Sequence, residues 1–282
     1  MGPILIALAL AMPVAARADF RDLEIGARPL AVGGAFVSIS DDANGVYWNP
    51  AGLVWMERPE LLGMITRAYG IDDLGLYYLS GAGKVGQFAL GGSWMRLGIT
   101  DVYNEDTFSF AGARGWGKMS FGVTLKFLKV DAPGYEQYDD PGYMGAQMEP
   151  TLDVGWQWRP LKSLSFGVAA YNLTRPEINL IDTTTETDPV PRDYRAGFSF
   201  VVREVWLLTM DVVKRDTDES SSTLHAGTEL WFYDAVALRA GVDRGRITMG
   251  AAVDAGRWQI DGVVSAHQMM GNLYRLSLTL RK

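Results

Sequence analysis

The sequence contains no cysteine and only two histidines, His225 and His267. The first absence removes both a disulfide framework and a thiolate zinc site. The second leaves no neighbouring imidazoles to build a metal centre. Beyond residue 20 no run approaches the ~20 continuous apolar residues of a spanning helix. Cations are outnumbered, 26 Lys and Arg against 33 Asp and Glu, and no basic face stands out, so no nucleic-acid partner is expected.

Enzyme signatures are equally scarce. Gly81-Ala82-Gly83-Lys84-Val85-Gly86 matches G-x-G-x-x-G, but a dinucleotide loop must open a helix, and an alternating strand pattern follows instead. It reads as a glycine-rich hairpin turn. Ser40 to Gly45 is loosely like a calcium loop, yet its first ligand position is Ser40 and its twelfth falls on Ala51 instead of Glu. Gly91-Gly92-Ser93-Trp94-Met95 lacks the last glycine of a nucleophile elbow. No catalytic residues, metal ligands or cofactor are expected, and the chain is not read as an enzyme.

What the sequence does have is alternation. In Ala235 to Asp243, Val236, Leu238, Ala240 and Val242 point one way, and Ala237, Arg239, Gly241 and Asp243 the other. Residues 246–254 and 273–281 repeat the pattern. Period two means one apolar face and one polar or small face. Roughly fourteen such segments lie between Glu60 and Arg281, with no helical period between them.

Segments of about ten residues suit a tilted strand crossing a bilayer. Aromatic residues sit near segment ends: Trp94, Trp116, Trp156, Trp158, Trp206, Trp231, Trp258 and Tyr274 fit interfacial girdles. Connections alternate in length. Arg114–Gly117, Arg159–Lys162, Arg203–Glu204, Tyr233–Asp234 and Asp254–Arg257 are tight, whereas Asp131–Gln147 and Thr174–Arg192 are long; Asp243-Arg244-Gly245 is a short exception. Short turns on one side and long loops on the other is the arrangement of an outer-membrane barrel. The fold class is therefore all-β: a transmembrane antiparallel outer-membrane β-barrel of about fourteen strands. Its apolar face meets outer-membrane lipid. Its lumen takes Lys126, Asp153, Arg195, Asp211, His225, Glu229, Arg239, Asp243 and Asp261, because each charge on the lipid side would cost a few kcal/mol. The acidic loop residues Asp131, Glu136, Asp139, Asp140, Glu177, Asp182, Glu186 and Asp188 read as a solvated outer surface.

Two N-terminal segments stand apart. Ile4 to Val14 is a short apolar run, and Ala16-Arg17-Ala18 has small residues at −3 and −1 of a cleavage site, so residues 1–18 read as a secretory signal peptide cleaved near Ala18. Gly26 to Leu53, GARPLAVGGAFVSISDDANGVYWNPAGL, packs five glycines and two prolines into 28 residues with no simple period. Residues 19–58 form a separate segment, and residues 59–282 the barrel.

The run Gly26-Ala27-Arg28-Pro29-Leu30-Ala31-Val32-Gly33-Gly34-Ala35-Phe36-Val37, then Asp41-Asp42-Ala43, then Tyr47-Trp48-Asn49-Pro50-Ala51-Gly52-Leu53 resembles the PorV/PorQ family of outer-membrane barrels. That family is similar in turn to FadL-type fatty acid transporters. The chain departs from many outer-membrane barrels in ending Leu280-Arg281-Lys282 rather than in an aromatic residue. The resemblance implies that Asn49, Pro50 and Ala51 lie in the lumen as part of an N-terminal plug. Asn49, Asp41, Asp42 and Asn44 would then bond the barrel wall, while Gly33 and Gly34 would approach it closely. With Tyr47 and Trp48 these residues form the plug motif, a filler, gate or ligand site. The resemblance further implies support for protein secretion of type IX kind, with a translocon and secreted proteins as partners. Its alternative is passive uptake of a hydrophobic ligand such as a fatty acid.

Overall fold

The computed structural model describes residues 24–67, 73–182, 189–216, 222–267 and 271–282. The signal-peptide reading and the acidic residues Glu186 and Asp188 lie outside them. Period-two segments become fourteen antiparallel strands, β1 (Glu60–Arg67), β2 (Leu74–Val85), β3 (Phe88–Ile99), β4 (Tyr103–Trp116), β5 (Met119–Asp131), β6 (Gln147–Leu161), β7 (Leu164–Tyr171), β8 (Asp193–Val202), β9 (Trp206–Arg215), β10 (Ser222–Phe232), β11 (Val236–Asp243), β12 (Arg246–Asp254), β13 (Trp258–His267) and β14 (Gly271–Arg281). Each pairs with its sequence neighbour, and β1 pairs with β14 from Glu60↔Arg281 to Thr66↔Arg275, so the sheet closes. Closure removes both edges, which is what lets a sheet cross lipid.

Register sorts the side chains. Leu61, Ile65, Leu79, Phe110, Phe121, Leu208, Leu238, Ile260 and Leu276 are exposed on the outside. Lys126, Asp153, Arg195, Asp211, His225, Glu229, Arg239, Asp243 and Asp261 are buried inside, so the polar half of the pattern is luminal. Outward charge sits at strand ends, as in the Arg96–Asp106 pair, 2.8 Å, on β3 and β4.

The connections divide as barrels of this class require. Residues 132–146 and 172–192 join strands at one end. At the other, Arg203–Glu204 and Tyr233–Asp234 turn the chain with φ between 51° and 62°, the left-handed pair of a tight hairpin. Arg244–Gly245 makes a similar turn (φ 47° and 80°) at the long-loop end. Two expectations need correction. Gly81 to Val85 extends β2, and the turn falls at Gly86 and Gln87, because these small residues let β2 pair with β3 as far as Val85↔Phe88. Trp231 faces the lumen, where its indole donates to Glu229 Oε1 at 3.0 Å; it shares that face with Glu229, two residues earlier.

Residues 24–59 form no strand. They comprise α1 (Ala27–Ala31), α2 (Gly45–Trp48), a 3-10 turn (Pro50–Trp55) and linking turns, almost wholly buried inside the barrel. A fourteen-strand barrel is too wide for its own side chains to fill, and this hatch occupies the space.

Candidate functional site

A hatch outside the sheet must find partners for its backbone elsewhere. The luminal side chains provide them. Ser277 on β14 accepts from Ala27 N–H (3.0 Å), Thr248 on β12 donates to Ala31 O (3.3 Å), and Thr209 on β9 donates to Ala35 O (2.9 Å). Asp211 Oδ2 accepts from both Phe36 and Val37 N–H at 2.8 and 2.9 Å. Gln157 on β6 donates to Val37 O, Arg159 to Ile39 O, Ser80 on β2 to Ala43 O and Thr124 on β5 to Val46 O. The ties run around most of the wall.

Glycines on the wall make this approach possible. A Cβ at Gly167 would stand 2.6 Å from Val37 C, and one at Gly227 would stand 2.5 Å from Val32 C. A Cβ at Gly122 would stand 2.5 Å from Ala51 N and Pro50 C, and one at Gly241 2.5 Å from Val32 C. Real Cβ atoms do not come this close, so the hatch backbone lies directly on the strand backbone.

The motif residues take distinct places. Gly33 and Gly34 have φ of 68° and 75°, and the Gly33 carbonyl lies 2.9 Å from His225 Nδ1 on β10. Asn49 is fully buried: Nδ2 donates to Val37 O at 2.8 Å and Trp156 O at 3.3 Å, and Oδ1 accepts from Ala51 N–H at 3.1 Å, capping the 3-10 turn with Pro50 at its start. Asp41 pairs with the wall through Arg159, whereas Asp42 differs from the expectation of wall bonding. Both accept from Arg28 Nη1, at 2.9 and 2.8 Å, and Asp42 also accepts from Asn44 N–H and Nδ2. Asp42 and Asn44 thus bond within the hatch, to each other and, for Asp42, to Arg28. Asp41 lies 3.7 Å from Arg159 on β6. Arg28 itself bridges to Glu229, which Arg239 holds at 2.6 Å while bonding Asp261 at 2.7 Å. Among the described residues no group of three or more metal-ligating side chains comes together.

Trp48 is buried at 1% exposure. Its Nε1 donates to Ile25 O at 2.9 Å, Tyr171 Oη donates to its carbonyl, and the Arg195 guanidinium lies 4.7 Å above its ring. Tyr47 and Phe36 meet that ring edge-on at 5.6 and 6.0 Å. Arg28 and the wall glycines carry as much of the site as the motif does. Glycine at alternate positions facing the lumen, as at Gly227 beside Glu229, was their only sequence signal.

Two cavities flank the hatch. A small one of about 50 Å³, at the long-loop end, is bordered by Glu24, Tyr47, Met95, Leu128, Tyr171 and Arg195 among others. Glu24 sits in the hatch there; burial, then the neighbouring Asp243 charge, pushes its carboxyl up to about 7. A larger cavity of about 530 Å³ opens at the short-turn end between Arg28, Ile39, Trp55, Arg159, Val201 and Leu207. The lumen is also sided. Apart from the charged β10–β13 wall, Leu62, Met64, Leu76, Tyr78 and Met95 on β1–β3 pack with Ile25 and Ala43 of the hatch into an apolar cluster.

Fold and site together define a class: an outer-membrane β-barrel of fourteen strands closed by an N-terminal hatch. No known family model matches the chain, and no curated protein matches it in sequence. Among solved structures it is similar to FadL-type hydrocarbon channels. The CymD monoaromatic hydrocarbon channel superposes with a TM-score of 0.65 at 13% identity over 92% of this chain and 97% of that one. The toluene transporter TodX of Pseudomonas putida gives 0.63 at 11% identity, covering 93% and 98%. A FadL homologue of Pseudomonas aeruginosa gives 0.60 at 12%, covering 88% and 96%. At such identities the likeness is one of fold.

Proposed function

We propose that this protein is a passive channel of the bacterial outer membrane for small hydrophobic molecules, with residues 1–18 removed as a signal peptide, residues 19–58 acting as the hatch and residues 59–282 as the barrel. The observation that carries the reading is the apolar sector of the lumen. A barrel conducting ions or sugars has no use for Leu62, Met64, Leu76 and Met95 on its inner wall, where each displaces a polar side chain. That sector lies beside the cavity above the hatch, which Met95 and Leu128 border. The similar structures described as toluene or monoaromatic hydrocarbon channels point the same way. No enzymatic step and no cofactor enter this reading.

Type IX secretion rests on the hatch motif alone. A lumen bonded shut by its hatch has no bore for a polypeptide, so in that role the protein would serve as a docking partner.

Titration of the purified barrel with a fluorescent fatty acid, and displacement by toluene, tests the channel reading. Saturable binding is expected, weakened at least tenfold by Met95→Asp. Absence of saturable binding, with recovery of secreted proteins or a translocon from envelope extracts, would replace it with the secretion role.

A further inference from the structure

The two luminal cavities approach each other along β8 and β9. Arg195 borders the upper one and Ser199 the lower one. Four residues of a strand separate them, about 13 Å at 3.3 Å per residue. Within that interval Ala35 O and the Phe36 and Val37 N–H groups bond Thr209 and Asp211 of β9, and an apolar cluster of side chains packs beside them. Phe36 and Trp48 form one apolar cluster with Val32, Ile39 and Leu207, and Tyr47 and Val201 pack against it. Tyr47 borders the upper cavity, while Ile39, Val201 and Leu207 border the lower. One continuous apolar cluster therefore reaches from cavity to cavity.

At Gly122, Gly167, Gly227 and Gly241 hatch backbone lies against wall backbone with no side chain between them. A passage there would need the hatch itself to shift and break its hydrogen bonds. At Trp48 the backbone is held by Tyr171, and its neighbour Asn49 is tied to β6, independently of the ring. The ring is held by one hydrogen bond to Ile25 O, by stacking of Arg195 and by the edge contacts of Phe36 and Tyr47. Among the described residues no carboxylate forms an ion pair with Arg195, whose Nη1 donates to Gly34 O at 3.3 Å. Both Tyr47 and Arg195, which lean on the ring, line the upper cavity. A molecule seated there touches two of the groups that pack on the ring.

We propose that Trp48 is the gate of a luminal route running between the two cavities along β8 and β9, with Arg195 as the positioning residue that holds its ring across the path. The nature of the passenger rests on the channel reading; the gate is a property of the hatch.

The test is liposome swelling with a small neutral sugar, using wild type, Trp48→Ala, Trp48→Phe, Arg195→Leu and Val46→Ala, each first shown to be folded by heat modifiability. Val46 packs in a different hatch cluster, with Leu53, Met56, Ala89, Ala111 and Ala113. Swelling at least fivefold faster than wild type is expected for Trp48→Ala, with smaller increases for Trp48→Phe and Arg195→Leu and none for Val46→Ala. If Trp48→Ala fails to assemble, Trp48→Phe and Arg195→Leu decide alone. Swelling at the wild-type rate in the Trp48 and Arg195 variants, or equal swelling in Val46→Ala, would overturn the gate. A gated sugar flux in a barrel that binds no fluorescent fatty acid would keep the gate and remove the hydrophobic passenger.

Discussion

Adding one methyl to the barrel wall at Gly167 should undock the hatch. The new Cβ would meet the Val37 carbonyl, 2.6 Å from Val37 C and 2.7 Å from Ser38 Cα, where ordinary contact begins near 3.4 Å. Hatch or wall must yield by roughly 1 Å, and close-packed interiors give little. Val37 is tied on both sides: its N–H to Asp211, its carbonyl to Asn49 at 2.8 Å and Gln157 at 3.0 Å. A retreat of that size stretches these bonds beyond useful length. Two or three buried hydrogen bonds at about 1 kcal/mol each, with an overpacking cost of about 1–3 kcal/mol, amount to roughly 3–6 kcal/mol. Removing a glycine from a strand returns about 0.5–1 kcal/mol. The net is about 2–5.5 kcal/mol against docking, a rise of roughly 30- to 8,000-fold in the undocked population. Hydrogen exchange by mass spectrometry, read on peptides spanning residues 35–40, measures it directly. Gly262→Ala is the control, because its Cβ points outward with nothing within 4 Å. Unchanged protection of the hatch peptides in Gly167→Ala would refute the claim that wall glycines are what let the hatch dock.

Asn49→Ala should destabilise the docked hatch by about 1–3 kcal/mol by leaving Ala51 N–H without its acceptor. Asn49→Asp should cost more, about 3–5 kcal/mol, because a carboxylate would face the carbonyls that Nδ2 now bonds; exchange rates in the reverse order would refute this. Arg239→Met leaves Glu229 and Asp261 without their shared cation and should cost about 3–5 kcal/mol, read as a lower temperature of the heat-modifiability transition. Glu24 gives a pH dependence. Its carboxyl binds a proton more tightly folded than unfolded, so its contribution is full below about pH 4.5 and is lost as pH rises through about 7. Exchange around residues 24–30, corrected for intrinsic rate, should therefore quicken over that window in wild type and stay flat in Glu24→Gln. A flat wild-type profile would count against it.

The barrel was legible because its physics is local. Alternation within Ala235–Asp243 settles which face is wet, and β11 (Val236–Asp243) follows it almost residue for residue. Loop parity needs only counting. Charges such as Asp211, Arg239 and Asp261 could be assigned to the lumen because lipid forbids the alternative. The hatch resisted for the opposite reason, since its partners are far away in sequence. Asn49 reads as a turn residue, and nothing near it announces Val37, Trp156 or Ala51 as a single constellation. Arg28 passes unnoticed in a sequence, yet it takes both Asp41 and Asp42. The sided lumen was also hidden. Met95 and Leu62 carry the period of the strand but break its polarity, and only the folded barrel gathers them with Ile25 of the hatch into one apolar cluster.

The hatch ties also fall on both sides of the seam where the first strand meets the last. Ala27 is held by Ser277 on β14, and Ala43 by Glu60 on β1. Glu60 in turn takes Arg281 of β14 at 2.8 Å. The segment that obstructs the lumen is thus also a clasp across the join that completes the cylinder. Loading the lumen and closing the wall become one cooperative event, and a chain shortened to its strands would lose strength first at that join.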